Sequence, residues 1–388
     1  MSKQVLTPRF YVDMPSFLHA TGREWAREES TGGAELLYMN PSNPFITKSD
    51  SSVFFKVGGG QNNSDLTSFP INFVALLNHN LASDDNYFMV QAKRQIFEDN
   101  QHGGMDWETL TGTADYNCTS ILNAQQGYSN NLNPTYNGST IFSIDDGNGN
   151  PINDIWESFF VKYNDGFDET LNHQLGSFVV GKYWDAPNSP DLNLTMSRRF
   201  EGIKKQKTIG GKTLPSIYYD GPIEWKMNGP DGIYKYPAFE LDLPDSIPDL
   251  ELDGNGDPTN EVELKSAFNK RAKSGLGRKG LRSWDLTFSY ISEDDMWMDN
   301  EVSSKLISDD VIDDDSGSAD PNPMLSDDSF NFVWNCTLGG TLPFIFQPDN
   351  TNNNPDQFAI CTFRDNTLKV KRVAYNTYSL SITIDEVT

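Results

Sequence analysis

Val373-Ala-Tyr375-Asn-Thr-Tyr378-Ser-Leu380-Ser-Ile382-Thr-Ile384-Asp-Glu386-Val decides the fold. Apolar and polar residues alternate along it for about ten positions, the period of an antiparallel strand with one face on a core. Working outward, Gly339-Gly340-Thr-Leu-Pro343-Phe-Ile-Phe346-Gln-Pro348 and Asp356-Gln-Phe358-Ala-Ile360-Cys-Thr-Phe363 precede it, and a polar loop between them announces a surface. Asp327-Asp328-Ser-Phe330-Asn-Phe332-Val-Trp334 places aromatics at every second position and predicts another strand. Upstream, Gly277-Arg-Lys-Gly280-Leu-Arg282 is a basic loop feeding a strand with Trp284, Leu286, Phe288 and Tyr290 on one face.

The N-terminal half has the same texture. Ser52–Val57, Pro70–Leu81, Tyr87–Lys93, Trp156–Tyr163 and Leu175–Pro187 are rich in Val, Ile, Phe, Tyr and Trp. Asn, Asp, Gly and Pro punctuate them, and long runs of helix formers are absent. An all-β protein follows. Its 388 residues suffice for two domains or three, and 37% apolar with 12% aromatic residues can fill a core. Residues 98–155, rich in Asn, Gly, Asp and Gln, predict long surface loops.

A net charge of −25 argues against nucleic acid as the main partner, because phosphate binding needs a basic face. The N-terminus lacks an apolar run fit for a signal peptide, and nowhere do 18 apolar residues follow one another. Synthesis in the cytoplasm without membrane insertion is therefore expected. Cys118, Cys336 and Cys361 are too few for a disulfide framework and read as reduced thiols.

Three regions are expected: an extended N-terminal arm over 1–34 with a short helix around Gly22–Glu28, a β module over 35–200, and a C-terminal β domain over 201–388. Long loops are expected at about 240–282 and 305–328. The strand ending in Asn78-His79-Asn80-Leu81, and the later one ending in Gly181-Lys-Tyr183-Trp184-Asp-Ala-Pro187, resemble the galactose-binding-like jelly rolls inserted in bacteriophage tail proteins. Ser197-Arg-Arg199-Phe200-Glu-Gly202, Thr208-Ile-Gly210-Gly211-Lys, Tyr218-Tyr219-Asp220-Gly221-Pro222, Trp225 and Gly277–Asp294 extend the likeness. With the closing strands described above, the pattern over about residues 50–388 resembles tail and baseplate structural proteins of tailed bacteriophages, of the distal-tail kind. The resemblance implies two β domains, a jelly-roll sandwich and a C-terminal antiparallel domain. It also implies a virion location in the tail and subunits that form a ring.

Each candidate site competes with a simpler reading. Asp253-Gly-Asn255-Gly-Asp257-Pro258 and Asp145-Asp146-Gly-Asn148-Gly-Asn150 imitate a calcium loop, but Pro258 and Leu264 occupy positions that need Gly and Glu, so a solvated turn is expected at both. His19, His79, His102 and His173 are scattered outside any zinc spacing, and His79 reads as a group locking a turn. Carboxylate pairs for sugar hydrolysis cannot be singled out among 55 acidic residues. No catalytic residue, metal ligand or cofactor is assigned, and an enzyme is not expected.

Two basic clusters stand out. Arg198, Arg199, Lys204, Lys205, Lys207 and Lys212 form one; Lys265, Lys270, Arg271, Lys273, Arg278, Lys279 and Arg282 form the other. Together they hold 13 of the 30 basic residues and suit charge complementarity across a subunit interface, with acidic loops of a neighbouring copy as partners. Trp107, Tyr116, Tyr128 and Tyr136 could instead stack on a sugar ring or pack their own loops. The expectation is a non-enzymatic tail-tip, baseplate or adaptor protein that binds copies of itself and other tail proteins. Its alternative is an adhesion module for host-surface glycan. A neck adaptor or a polysaccharide depolymerase stands behind both.

Overall fold

The computed structural model describes residues 5–21, 39, 41, 45–47, 53–56, 70–79, 87–96, 104–109, 116–126, 132–152, 156–164, 173–200, 203–217, 222–226, 280–298 and 328–387. In chain order the strands are β1 (Arg9–Asp13), β2 (Phe45–Thr47), β3 (Val53–Lys56), β4 (Phe73–His79), β5 (Tyr87–Ile96), β6 (Gly104–Thr109) and β7 (Asn117–Leu122). There follow β8 (Ala124–Gln126), β9 (Leu132–Pro134), β10 (Gly138–Asp145), β11 (Trp156–Asn164), β12 (His173–Leu175), β13 (Ser177–Asp185) and β14 (Thr195–Arg199). The last are β15 (Ile203–Lys207), β16 (Thr213–Ile217), β17 (Leu281–Ser292), β18 (Phe344–Gln347), β19 (Ala359–Phe363), β20 (Lys369–Ala374) and β21 (Thr377–Glu386). Short helices at Met14–Ala20, Glu293–Met296 and Phe330–Cys336 complete the described elements of any length. The chain is all-β.

Its centre is one antiparallel sheet of 11 strands in the order β14-β17-β21-β19-β18-β1-β13-β4-β10-β7, with β20 on a free stretch of β21. Continuous apolar runs explain why the middle is buried on both faces. Phe10, Val12, Val74, Leu76, Phe178, Val180, Phe344 and Phe346 point into one core. Their neighbours Tyr11, Phe73, Ala75, Leu77, Val179 and Ile345 point into a second core on the opposite face. A second sheet runs β3-β11-β5-β9-β8 with β6 on β5. At the corner between β7 and β8, Asn123 takes a left-handed φ of 55°. Its side chain spans the turn, donating to the Tyr136 carbonyl at 2.7 Å and accepting from the Thr135 amide at 2.9 Å.

Five expectations meet a different outcome. Residues 9–13 are not part of a coreless arm. β1 is hydrogen-bonded to β13 on one side and β18 on the other, so it joins strands of the two expected β domains into one sheet. The boundary expected near residue 200 therefore falls within that sheet, and β4, β7, β10 and β13 contribute to it rather than to a separate sandwich. Residues 98–155 hold five strands as well as loops, and β10 is almost wholly buried.

Phe330–Cys336 is a helix, not a strand. Phe330, Val333 and Cys336 fall one helical turn apart and are buried, and this period wins over the alternation of Phe330, Phe332 and Trp334. Phe330 meets Phe10, Trp184 and Phe363 with ring centroids 5.5–6.0 Å apart. Thr337 caps the helix and Leu338, Gly339 and Gly340, at left-handed φ of 51°, 64° and 85°, turn the chain away, with the Gly339 amide donating to the Trp334 carbonyl at 2.9 Å.

In β17, a register shift between Phe288 and Ile291 reverses the alternation. Trp284, Leu286 and Phe288 are buried as expected, but Tyr290 is 74% exposed and Ile291 takes the inward place. The expected helix at Gly22–Glu28, most of the loop at 240–282 and nearly all of 305–328 lie outside the described residues.

Candidate functional site

One end of the large sheet differs from the rest. β14 pairs with β17 alone among the described strands, and all five of its residues are exposed. It covers only the first part of β17. Beyond Asp285 the edge of β17 is closed by residues 188–191, where the Asp191 amide donates to the Thr287 carbonyl at 2.7 Å and the Asn188 side chain to the Tyr290 carbonyl at 3.1 Å. Among the described residues the outer edge of β14 pairs with no strand, and a row of backbone donors and acceptors on such an edge is the usual template for pairing with another chain. Met196 and Phe200 are 44% and 59% exposed beside Arg198 and Arg199.

The chain then folds into a two-stranded ribbon, β15 against β16, which pairs with no other described strand. Its turn is fixed by the Thr208 amide donating to the Lys212 carbonyl at 2.8 Å and by Gly211 at φ 77°, a conformation that suits glycine. Ile209 stands fully exposed at the tip between Lys207 and Lys212, both also exposed. Lys204 and Lys205 fall within β15. From Arg198 to Ile217 there are six cations and a single carboxylate, Glu201, in a chain whose overall charge is −25.

Behind β14 lies a cleft of about 470 Å³, lined by Met196, Arg198, Trp225, Lys226, Trp284 and Asp356 among others. Arg282 and Glu386 close its base. The guanidinium grips the carboxylate twice, Nη2 to Oε1 at 2.7 Å and Nε to Oε2 at 3.0 Å, and donates to the Asp356 carbonyl at 2.7 Å. Burial opposes the charge on Arg282, but the hydrogen bonds and attraction of Glu386 prevail and hold its pKa above the ordinary value. The side chains are 13% and 1% exposed. Arg282, one of the residues expected at a subunit interface, forms an internal clamp tying the start of β17 to the end of β21.

The other expected residues separate. Arg198 and Arg199 lie on the exposed edge, while Lys270, Arg271, Lys273, Arg278 and Lys279 are outside the described residues. A further basic strip escaped the sequence reading: Lys369, Lys371 and Arg372 on β20, which runs exposed to a turn tipped by Tyr375. Its signal was the alternation Lys369-Val-Lys371.

Of the four aromatics suggested for sugar stacking, Tyr116 and Tyr136 pack on different cores. Trp107 lies in β6 opposite Lys93, and Tyr128 is outside the described residues. Tyr116 packs half-buried on one core. Tyr136 packs on the other, with Lys226 Nζ 4.8 Å from its ring and its hydroxyl pKa raised by burial.

His79 is wholly buried at the end of β4, its Nε2 2.8 Å from Thr140 Oγ1, and burial pushes its pKa down to about 3. It is a neutral locking group between β4 and β10. The Asp145–Asn150 loop is a solvated turn: Asp145 accepts from the Gly147 amide at 2.8 Å, and Asp146 from those of Asn148 and Asn150 at 2.9 and 3.0 Å. The three cysteines are free thiols. Among the described residues no group of three or more His, Cys, Asp or Glu side chains is placed to hold a metal ion, and no helix is long and apolar enough to cross a membrane.

No family model, curated protein or solved structure matches this chain.

Proposed function

We propose that this chain is a structural protein of a bacteriophage tail, a tip, baseplate or adaptor component that works by binding copies of itself and other tail proteins. The observation that carries the reading is the contrast within one sheet: a middle buried on both faces, and an edge at β14 exposed on both and continued by a basic ribbon. A rigid sheet with an open, charged edge is built for attachment. The placement in a phage tail rests on the resemblance of the motifs over about residues 50–388 to tail and baseplate proteins. The role of subunit contacts rests on the edge itself. The work is mechanical and the product is an assembled ring.

Mass spectrometry and antibody labelling of purified phage particles test the placement. The expected result is the chain at fixed stoichiometry at one end of the tail. Its absence from particles, or turnover of host polysaccharide by the purified chain, would overturn the reading. Glycan binding lost on Trp107→Ala or Tyr128→Ala would instead favour an adhesion module.

A further inference from the structure

The charge and the free edge together specify the kind of partner. Between Arg198 and Ile217 the strip carries a net positive charge, so the rest of the chain is even more acidic than the total of −25. Outside its own basic segments, a second copy is therefore a strongly acidic partner. The strip also holds apolar contacts for an interface: Met196, Phe200 and Ile209 are exposed among the cations. The ribbon β15–β16 gains no support from the described sheets, and a two-stranded ribbon alone is marginal in water, which favours a contact that covers it.

Self-pairing of β14 about a two-fold axis is disfavoured. Antiparallel pairing would bring both copies of Arg198 and Arg199 within roughly 5–8 Å of one another, where like charges destabilise a strand pair. A contact between unlike surfaces avoids this.

We infer that β14 and the β15–β16 ribbon form one half of a head-to-tail contact whose other half is an acidic face of a second copy of this chain. This deepens the proposed function and rests on its assembly reading, but it does not depend on location in a phage tail. Because the two halves are different surfaces, each copy keeps one of each free, and the contact repeats until a ring closes. Cations set register and encounter, while Met196, Phe200 and Ile209 supply the apolar anchoring.

Analytical ultracentrifugation of the full chain tests this with the variant Arg198→Glu/Lys207→Glu/Lys212→Glu, in which all three residues are exposed. Wild type is expected to form species larger than a dimer at 50 mM salt, weakening at least ~10-fold at 500 mM as screening shortens the reach of the charges. The variant is expected to lose association by ~100-fold or more with an unchanged melting temperature. Ile209→Ser, which keeps every charge, is expected to weaken association less.

Mixing separates the geometries. The triple variant retains its acidic face, so it should join wild type at one end and stop growth. A wild type that stays monomeric at both salts would overturn the inference, as would a closed dimer or a variant that associates like wild type. A variant that fails to associate, in a protein absent from phage particles, would sink the tail placement and leave this contact standing.

Discussion

β1 and β14 are both five-residue strands of the same sheet, and they could hardly differ more. Phe10, Tyr11 and Val12 are buried on both faces between two neighbours, whereas every residue of β14 is exposed beside one neighbour among the described strands. The difference lies in position in the strand order. A strand with two neighbours and two cores is held by everything around it; one at the edge keeps its backbone groups and side chains for something else. Stability and attachment are thus divided between the middle and the rim.

The largest effect should come from the middle. Phe10→Ala removes a ring that meets Trp184, Phe330, Phe344, Phe346 and Phe363, and should cost about 3–5 kcal/mol in urea denaturation. Met196→Ala on the rim should stay within about 0.5 kcal/mol. Equal effects would break the comparison.

Two arginines of the expected interface sharpen it next. Arg282→Met strands Glu386 in the interior and should cost about 3 kcal/mol, because an unpaired buried charge has no compensation. Arg198→Met should leave the melt unchanged within about 0.5 kcal/mol and show its effect in association only.

The pH dependence of stability should also arise from the buried strands. Burial holds His79 neutral, with its pKa pushed down to about 3 from an ordinary 6.5. Its contribution is complete above pH 6.5 and is lost as pH falls from 6.5 towards 3. Asp13 is the opposite case. Its carboxyl, buried and accepting from the Ser16 hydroxyl, is pushed by burial up to about 7, so its contribution is complete below pH 4 and is lost as pH rises towards 7. Each slope is at most about 1.4 kcal/mol per pH unit, and between pH 4 and 6.5 they oppose each other. Denaturation across pH 3–8 should therefore show a plateau in that window. His79→Gln should flatten the acid side and Asp13→Asn the neutral side.

The smallest expected effect on stability is at the ribbon tip. Ile209→Ser should shift the melt by less than about 0.5 kcal/mol while lowering association.

Much of the β architecture was legible because its signals are local. The alternation Leu380, Ile382, Ile384 and the apolar runs Phe73–Leu77 and Phe178–Val180 read correctly as strands. Failures came where a long-range partner or a local irregularity decided. The Arg9–Asp13 strand between Pro8 and Pro15 is too short to declare itself, and its neighbours β13 and β18 lie far along the chain. Phe330–Trp334 fits two periods, and the glycines at 339–340 were the overlooked sign of a helix end. The bulge that turns Tyr290 outward leaves no mark in composition. Arg282 stood among other cations in sequence, while the carboxylate that claims it is 104 residues away. Arg198 and Arg199 stand out by charge alone, with no sign in the sequence of the edge strand that carries them, and the similar strip on β20 is too short to stand out.

Hydrogen exchange followed by mass spectrometry, on the isolated chain and on the assembled form at low salt, tests the division most directly. Amides of β1, β4, β13 and β18 should exchange slowest in both, and those of 195–217 should exchange fast in the free chain and slow markedly on assembly. Protection of 195–217 already complete in the free chain, or unchanged on assembly, would contradict the account.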